Sequence, residues 1–250
     1  MNLNLNKKNV VIVGGSRGIG LSTTEKFLEE GAYVHTISRN LITSELQNKF
    51  SSKIFFYSAD ATRLKSLMDV LKLIKKKSNK IDVLISNVGN GAGSSKPLPS
   101  QDEWDISWDN NFMSSLNSIR VFGPEITKSK GSIVFISSIT GLEYLGAPSS
   151  YNTAKAALNA FAKTLSHKMA PNVRINIVAP GNVFIKNGTW DLKQKENPEK
   201  VKRMLNDKVP LNRFGKPDEI ANLIVFLSSE KASFITGSCF VIDGGQTISY

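Results

Sequence analysis

The chain has 250 residues, 40% hydrophobic and 21% charged, which suits one soluble α/β domain with a substantial core. Thirty-two Lys and Arg against 21 Asp and Glu leave a net charge of +11, but the charge is scattered, with one short run at Lys75-Lys76-Lys77, and no nucleic-acid motif accompanies it. No apolar run reaches the ~18 residues of a membrane span, the opening MNLNLNKKNV lacks a signal-peptide core, and the single cysteine, Cys239, argues against a disulfide or a Cys-based metal site. The expectation is therefore a cytoplasmic protein with no nucleic-acid, membrane or metal partner.

Short apolar runs predict strands at Asn9–Val13, Tyr33–Ile37, Lys53–Tyr57, Ile81–Ser86, Ser132–Ser137, Arg174–Ala179 and Ser238–Ile242. Runs such as IDVLIS and GSIVFIS are continuously apolar, as strands covered on both faces are. Helix-length segments fall between them at Gly18–Glu30, Thr62–Lys77, Trp104–Thr127, Ser150–Ala170 and Pro217–Ser228. That alternation implies a mostly parallel, seven-stranded, doubly wound sheet of Rossmann type, with helices on both faces. No repeat or linker interrupts the chain, so residues 1–250 read as one domain. Cys239, in the last strand, is expected to be a small buried apolar residue.

Two stretches break the rhythm. NGAGSSKPLPS, residues 90–100, follows the fourth strand, and the polar, lysine-rich stretch 181–210 follows the sixth. Open α/β sheets bind ligands beyond the carboxyl ends of their strands, so both belong to a ligand cleft, and 181–210 reads as a substrate loop or lid. It carries Trp190, equally suited to lining a pocket or pinning the loop, and a short amphipathic piece at Val201, Met204 and Leu205.

The first strand runs into Gly14-Gly15-Ser16-Arg17-Gly18-Ile19-Gly20 and then a helix. Glycines let backbone approach a phosphate, and the helix start offers unpaired N–H groups. The spacing G-x-x-x-G-x-G makes this a variant dinucleotide turn. Gly14 to Gly18 also matches G-x-S-x-G, the nucleophile elbow of hydrolases. That chemistry needs a histidine base, and the two histidines present, His35 on the second strand and His167 inside a helix, are poorly placed to supply one. At the end of the second strand, where an acidic residue would favour NAD, stand Ser38 and Arg39. Arg39 and Arg17 together suit the 2′-phosphate of NADP(H), with NAD(H) left as the alternative.

SSYNTAKAALNAF opens a helix with Tyr151 and Lys155 on one face, about 6 Å apart along the axis. An ammonium beside a phenol lowers its pKa from about 10 and makes it usable as an acid or base near neutrality. Lys155 has hydrogen bonds to spare for ribose hydroxyls, and Ser138 in VFISSITG is placed to hold a substrate oxygen. That set suits hydride transfer to a carbonyl.

Jointly these motifs resemble the short-chain dehydrogenase/reductase family along nearly the whole chain. They include Asp60-Ala61, Asn87-Val88-Gly89, Asn111, Ser138, Tyr151 through Lys155, Pro180-Gly181, and the tail from Pro210 to Gly245. The resemblance implies Asp60 and Ala61 near an adenine, Asn87, Val88 and Gly89 beside the cofactor, and Asn111 holding a relay water. It also implies Ser138 polarising the carbonyl, and Tyr151 as general acid/base supported by Lys155. Three positions depart from the family pattern: Val13 for a threonine, Val88 for an alanine, and Ile185 for a threonine that holds the carboxamide, a task left to the Val183 backbone. The segments SNVGNGAGSS, WDNNF and 181–215 are similar to reductases of bacterial surface-sugar biosynthesis.

The reaction expected is thus an NADP(H)-preferring interconversion of a carbonyl and a secondary alcohol, on a small polar, sugar-derived substrate. A 3-oxoacyl-[acyl-carrier-protein] reductase is the alternative enzyme, and a non-catalytic dinucleotide-sensing or interaction protein the alternative of another class. The resemblance also implies a homotetramer or homodimer, with Trp104–Thr127 and Ser150–Ala170 at subunit contacts. Ala154, Ala157 and Ala160 suit close helix approach there, or the monomer core instead.

Overall fold

The computed structural model describes residues 2–40, 44–94 and 96–248; Ser95, within the 90–100 stretch, lies outside the described residues. Seven strands, β1 (Asn9–Val13), β2 (Tyr33–Ser38), β3 (Ile54–Ser58), β4 (Val83–Ser86), β5 (Ser132–Ile136), β6 (Arg174–Pro180) and β7 (Cys239–Ile242), form one sheet in the order β3-β2-β1-β4-β5-β6-β7. Every neighbouring pair is parallel. The helices are α1 (Gly18–Glu29), α2 (Ser44–Lys49), α3 (Leu64–Lys75), α4 (Gln101–Trp108), α5 (Ser114–Ser129), α6 (Ser149–Met169), α7 (Thr189–Glu196), α8 (Pro198–Lys208) and α9 (Pro217–Ser228).

Alternate side chains of each strand enter different cores, because successive Cβ atoms point to opposite faces. Val10 and Ile12 pack with Phe27 and Leu28 of α1 and Ile220 and Ile224 of α9. Val11 and Val13 pack with Leu67 and Ile74 of α3, Phe122 and Ile126 of α5, and Leu158 and Ala162 of α6. Both faces are therefore apolar, which is why the strands read as unbroken hydrophobic runs. Only β7, at the edge, alternates between exposed and half-buried residues, and it leaves Cys239 exposed rather than buried.

Three differences from the sequence expectations bear on the cleft. The helix expected over Trp104–Thr127 begins at Gln101 behind a Ser100–Glu103 capping box and is interrupted by a π turn at Asp109–Met113. The stretch 181–210 is largely helical: Asn197 caps α8 by accepting the Lys200 N–H at 2.9 Å, and Pro198 sits in its first turn. Pro in that position suits a helix start because its missing N–H would be unpaired anyway. Finally, the short helix α2 follows β2. No helix among the described residues is long and apolar enough to cross a membrane.

Candidate active site

Strand order reverses between β1 and β4, the switch point at which open α/β sheets hold ligands. The glycine turn sits there because only glycine suits it. Gly14 has φ +91°, and a Cβ on it would lie 3.0 Å from the Asn87 backbone. Asn87 Nδ2 donates to the Gly14 carbonyl at 2.8 Å, and Gly14 N–H donates to Ile37 O at 2.7 Å. Thr24 Oγ1 adds a bond to Gly15 O at 3.2 Å. These bonds brace the turn with Val13 in place of threonine.

The residues present fit a dinucleotide on their own geometry. The N–H groups of Gly18, Ile19 and Gly20 open α1, whose first turn has no acidic residue, and Arg17 beside them is exposed. At the ends of β2 and β3, the Ser38 hydroxyl is spent on Asn40 O at 2.9 Å, while Arg39 is exposed. Asp60 accepts the Thr62 N–H at 3.0 Å and the Thr62 hydroxyl at 2.8 Å. Partial burial works to raise its carboxyl, but the Thr62 bonds, with Arg39 and Arg63 nearby, outweigh it and hold the carboxyl below its ordinary value. Asn117 of α5 fixes this turn by donating to Ala61 O at 3.2 Å and Thr62 O at 3.0 Å.

Beyond β6, Gly181 N–H donates to Ile242 O at 3.0 Å, fixing the Pro180-Gly181 turn against β7. Phe184 N–H donates to Gly215 O at 3.0 Å, and Gly215 N–H donates to Asn182 O at 2.9 Å. In such a parallel bridge Val183's own N–H and C=O point the opposite way, available to a carboxamide. Ile185 instead packs on the glycine turn: a Cβ at Gly18 would lie 2.8 Å from Ile185 Cδ1. Trp190 packs at a tilt against Phe214 with ring centroids 5.4 Å apart, beneath Lys193 Nζ at 4.7 Å, so it pins α7.

Four polar side chains meet at the ends of β4 and β5. Asn111, fully buried in the π turn, donates to Ser107 O at 2.9 Å and to Asn90 O at 3.2 Å, and its Oδ1 accepts the Asn90 N–H at 3.1 Å. The rings of Trp108, Phe112, Phe161 and Phe135, at successive centroid distances of 4.8, 5.6 and 6.2 Å, lock this turn to α6 and β5. A Cβ on Gly89 would lie 2.7 Å from Asn111 Oδ1 and 3.0 Å from Lys155 Nζ, so glycine lets the two groups converge there. Lys155, only 3% exposed, donates to Ile136 O at 3.0 Å. Its Nζ lies 5.8 Å from the Tyr151 ring centroid.

Ser138 Oγ accepts the Thr140 N–H at 3.2 Å and lies 3.1 Å from the Thr140 hydroxyl. Burial pushes the Tyr151 phenol above its ordinary value, with the Ser138 hydroxyl working against it. This corrects the expectation of a phenol depressed by Lys155. Phenolate loses hydration on burial, and burial pushes Lys155 itself down to about 8.

His35 is buried on β2 beside Tyr57, with Nδ1 at 3.3 Å from the Tyr57 hydroxyl, and burial holds it down at about 4. His167 is exposed near the far end of α6. A serine nucleophile at Ser16 thus gains no support from either. Asn117 and Thr140 are residues near the cleft that sequence reading missed, and Asn90 fell in a stretch assigned to the cleft without being singled out. Only Thr140 carried a local sign, a hydroxyl two positions after Ser138 at a strand end.

The family described as Enoyl-(Acyl carrier protein) reductase matches residues 13–247. The chain is 33% identical to the isoepoxydon dehydrogenase of Penicillium expansum, over 95% of this chain and 93% of that one. It is 32% identical to the 3-oxoacyl-[acyl-carrier-protein] reductase of Thermotoga maritima, over 98% of this chain and all of that one. The L-sorbose reductase of Gluconobacter frateurii, solved with NADPH and L-sorbose, superposes with a TM-score of 0.93 at 27% identity, and each chain is covered in full. With its switch-point glycine turn and its fold shared from end to end, the chain belongs to the short-chain dehydrogenase/reductase family, oxidoreductases acting on CH–OH and C=O groups.

Proposed function

We propose that the chain is an NADP(H)-preferring reductase that interconverts a ketone and a secondary alcohol on a polar, sugar-like substrate. The observation that carries this reading is the convergence of the buried Lys155 ammonium, 5.8 Å from the half-buried Tyr151 ring, with Asn111 across Gly89 and with Ser138 just beyond β5. A phenol kept protonated by burial is an acid ready to give its proton. In reduction Tyr151 hands that proton to the carbonyl oxygen, while Ser138 donates a second hydrogen bond to the same oxygen. A bound nicotinamide supplies the hydride to the carbon. Lys155, protonated at neutral pH with its value at about 8, would hold the ribose hydroxyls of that cofactor. Asn111, already paired with Asn90, holds the water through which a proton returns.

Arg17 and Arg39, both exposed at the adenosine end, support NADP(H) over NAD(H). The fold likeness to a reductase solved with NADPH and L-sorbose supports both the cofactor and a hydroxylated substrate. The polar cover formed by α7 and α8 supports a sugar of the kind used in bacterial surface-sugar biosynthesis. A 3-oxoacyl-[acyl-carrier-protein] reductase is the second reading, favoured by the Thermotoga maritima relative. We also propose a homotetramer or homodimer packed through α5 and α6. Ala160 is exposed and Ala157 half-buried there, whereas Ala154 is spent in the monomer core; sedimentation velocity reads the state directly.

The test is NADPH consumption with L-sorbose and related keto sugars, a 3-oxoacyl thioester and simple diketones. Turnover of the keto sugars is expected, and Tyr151→Phe should abolish it while NADPH binding persists. Turnover of the thioester alone gives the second reading. Tight NADPH binding with no turnover of any substrate makes the chain a sensor, and wild-type turnover in the phenylalanine variant removes the mechanism.

A further inference from the structure

We propose that Gly91 is a specificity-determining residue: its missing side chain is room beside Tyr151 for a ketone with more than a methyl group on each side of the carbonyl. The proposal rests on the role given above to Tyr151 as the acid of carbonyl reduction.

Glycine is needed where the backbone turns left-handed or where another group comes too close for a Cβ. Neither need applies at Gly91. Its φ lies outside the left-handed region that Gly14 occupies. Beyond its chain neighbours, a Cβ built on it would meet only Tyr151 Cζ at 3.9 Å and Tyr151 Cε1 at 4.0 Å among the described residues. Both are ordinary van der Waals contacts. The nearby glycines differ: a Cβ on Gly89 would lie 2.7 Å from Asn111 Oδ1, and one on Gly93 would lie 3.1 Å from Pro148 Cβ. Close packing accounts for Gly89 and Gly93. Nothing in the fold asks for glycine at 91.

The bare backbone there is held against the tyrosine helix. Asn90, just before it, gives its N–H to Asn111 Oδ1 at 3.1 Å and accepts Asn111 Nδ2 at 3.2 Å. Ala92 N–H, just after it, donates to Asn90 Oδ1 at 2.9 Å. Gly93 rests on Pro148, immediately before α6, and Ser149 Oγ donates to Pro97 O at 3.1 Å. Gly91 is thus the point of this wall that meets the phenol, and it meets it at Cζ, the carbon bearing the reacting hydroxyl. Reacting groups stand about 3–3.5 Å apart, so a ketone held by that hydroxyl brings its substituents alongside the same carbon. A substituent on the Gly91 side takes the volume that a side chain at 91 would fill.

Gly91→Ala and Gly91→Val fill that volume in two steps. Each is assayed with NADPH against diacetyl, which has a methyl group beside the carbonyl, dipropionyl, which has an ethyl group, and L-sorbose, which has a hydroxymethyl group. The ratio of kcat/KM for either larger ketone to that for diacetyl should fall about tenfold in Gly91→Ala and about 100-fold in Gly91→Val. The Kd of NADPH, read by its fluorescence, should stay within about twofold, and the Tm of Gly91→Ala within about 2 °C. The proposal is overturned if the ratios stay at wild-type values, or if all three ketones fall together, the mark of a displaced phenol and not of lost room. It is also overturned if the wild-type protein reduces diacetyl but neither larger ketone. Should Gly91→Val not fold, the ratios in Gly91→Ala decide. Tyr151→Phe separates the two levels. Wild-type turnover in that variant defeats the role of Tyr151 and this inference with it, whereas loss of turnover there beside unchanged ratios at position 91 defeats only the role of Gly91.

Discussion

Lys155 should make the protein less stable than it would be without it, and replacing it with methionine tests this. Its ammonium is 3% exposed and pushed by burial from 10.5 down to about 8. At about 1.4 kcal/mol for each pH unit, keeping it charged in the folded state costs about 3 kcal/mol near neutral pH. The bond from Nζ to Ile136 O returns part of that, about 1.5 kcal/mol for a charged donor. Lys155→Met keeps the volume and removes both effects, so a net gain of about 1–2 kcal/mol is expected near pH 6.5, or about 2–8 °C in Tm. The sign of the pH dependence is fixed by linkage. Between about 8 and 10.5 the folded lysine is neutral while the unfolded one is still protonated. Wild-type stability therefore rises with pH in that window, by about 1.4 kcal/mol per unit, and the advantage of methionine should be gone near pH 9.5. Thermal and urea unfolding of both proteins at the two pH values provides the assay. A difference that stays constant from pH 6.5 to 9.5 would refute the reasoning, as would a methionine variant less stable at pH 6.5. Turnover should be lost in either case.

Gly89→Ala places a Cβ 2.7 Å from Asn111 Oδ1 and 3.0 Å from Lys155 Nζ, so turnover should fall at least about tenfold, with unfolding behaviour little changed. Steady-state kinetics beside circular dichroism would show it, and wild-type kcat would mean the two groups need not converge there. Arg39→Asp should lower kcat/KM for NADPH about 10- to 100-fold relative to NADH, the worth of a charge-assisted hydrogen bond. An unchanged NADPH-to-NADH ratio defeats the argument from Arg39.

The sheet was legible because both of its faces are covered. Runs such as VLIS in β4 and SIVFI in β5 are buried at every position, which leaves hydrophobicity with no competing signal. That Tyr151 and Lys155 share one helix face was legible from spacing, but only register with the other family motifs marked the pair as a candidate site. The π turn was not, since a widened hydrogen-bond ladder needs no special residue; DNNFM reads as ordinary helix. Its consequence, an inward Asn111 taken up by Ser107 and Asn90, depends on segments about twenty residues apart meeting in space. Helix α7 escaped notice because its faces are mostly exposed and lysine-rich, and α8 was read only as a short amphipathic piece, although Asn197-Pro198 is a helix start on its own terms. The state of the Tyr151 phenol was also beyond reach, because spacing reveals a neighbouring ammonium but not how much water each group has lost.

The amide that Asn87 extends to the carbonyl of Gly14 stitches the two halves of the sheet together at the point where they diverge. A floor sewn along that seam moves as one body, so an arriving ligand has to be received by the roof. The roof we propose is the helical pair α7 and α8, tied at one end by the tilted ring contact of Trp190 with Phe214. Substrate preference can then drift with the residues of that roof, while the chemistry beneath it keeps its alignment.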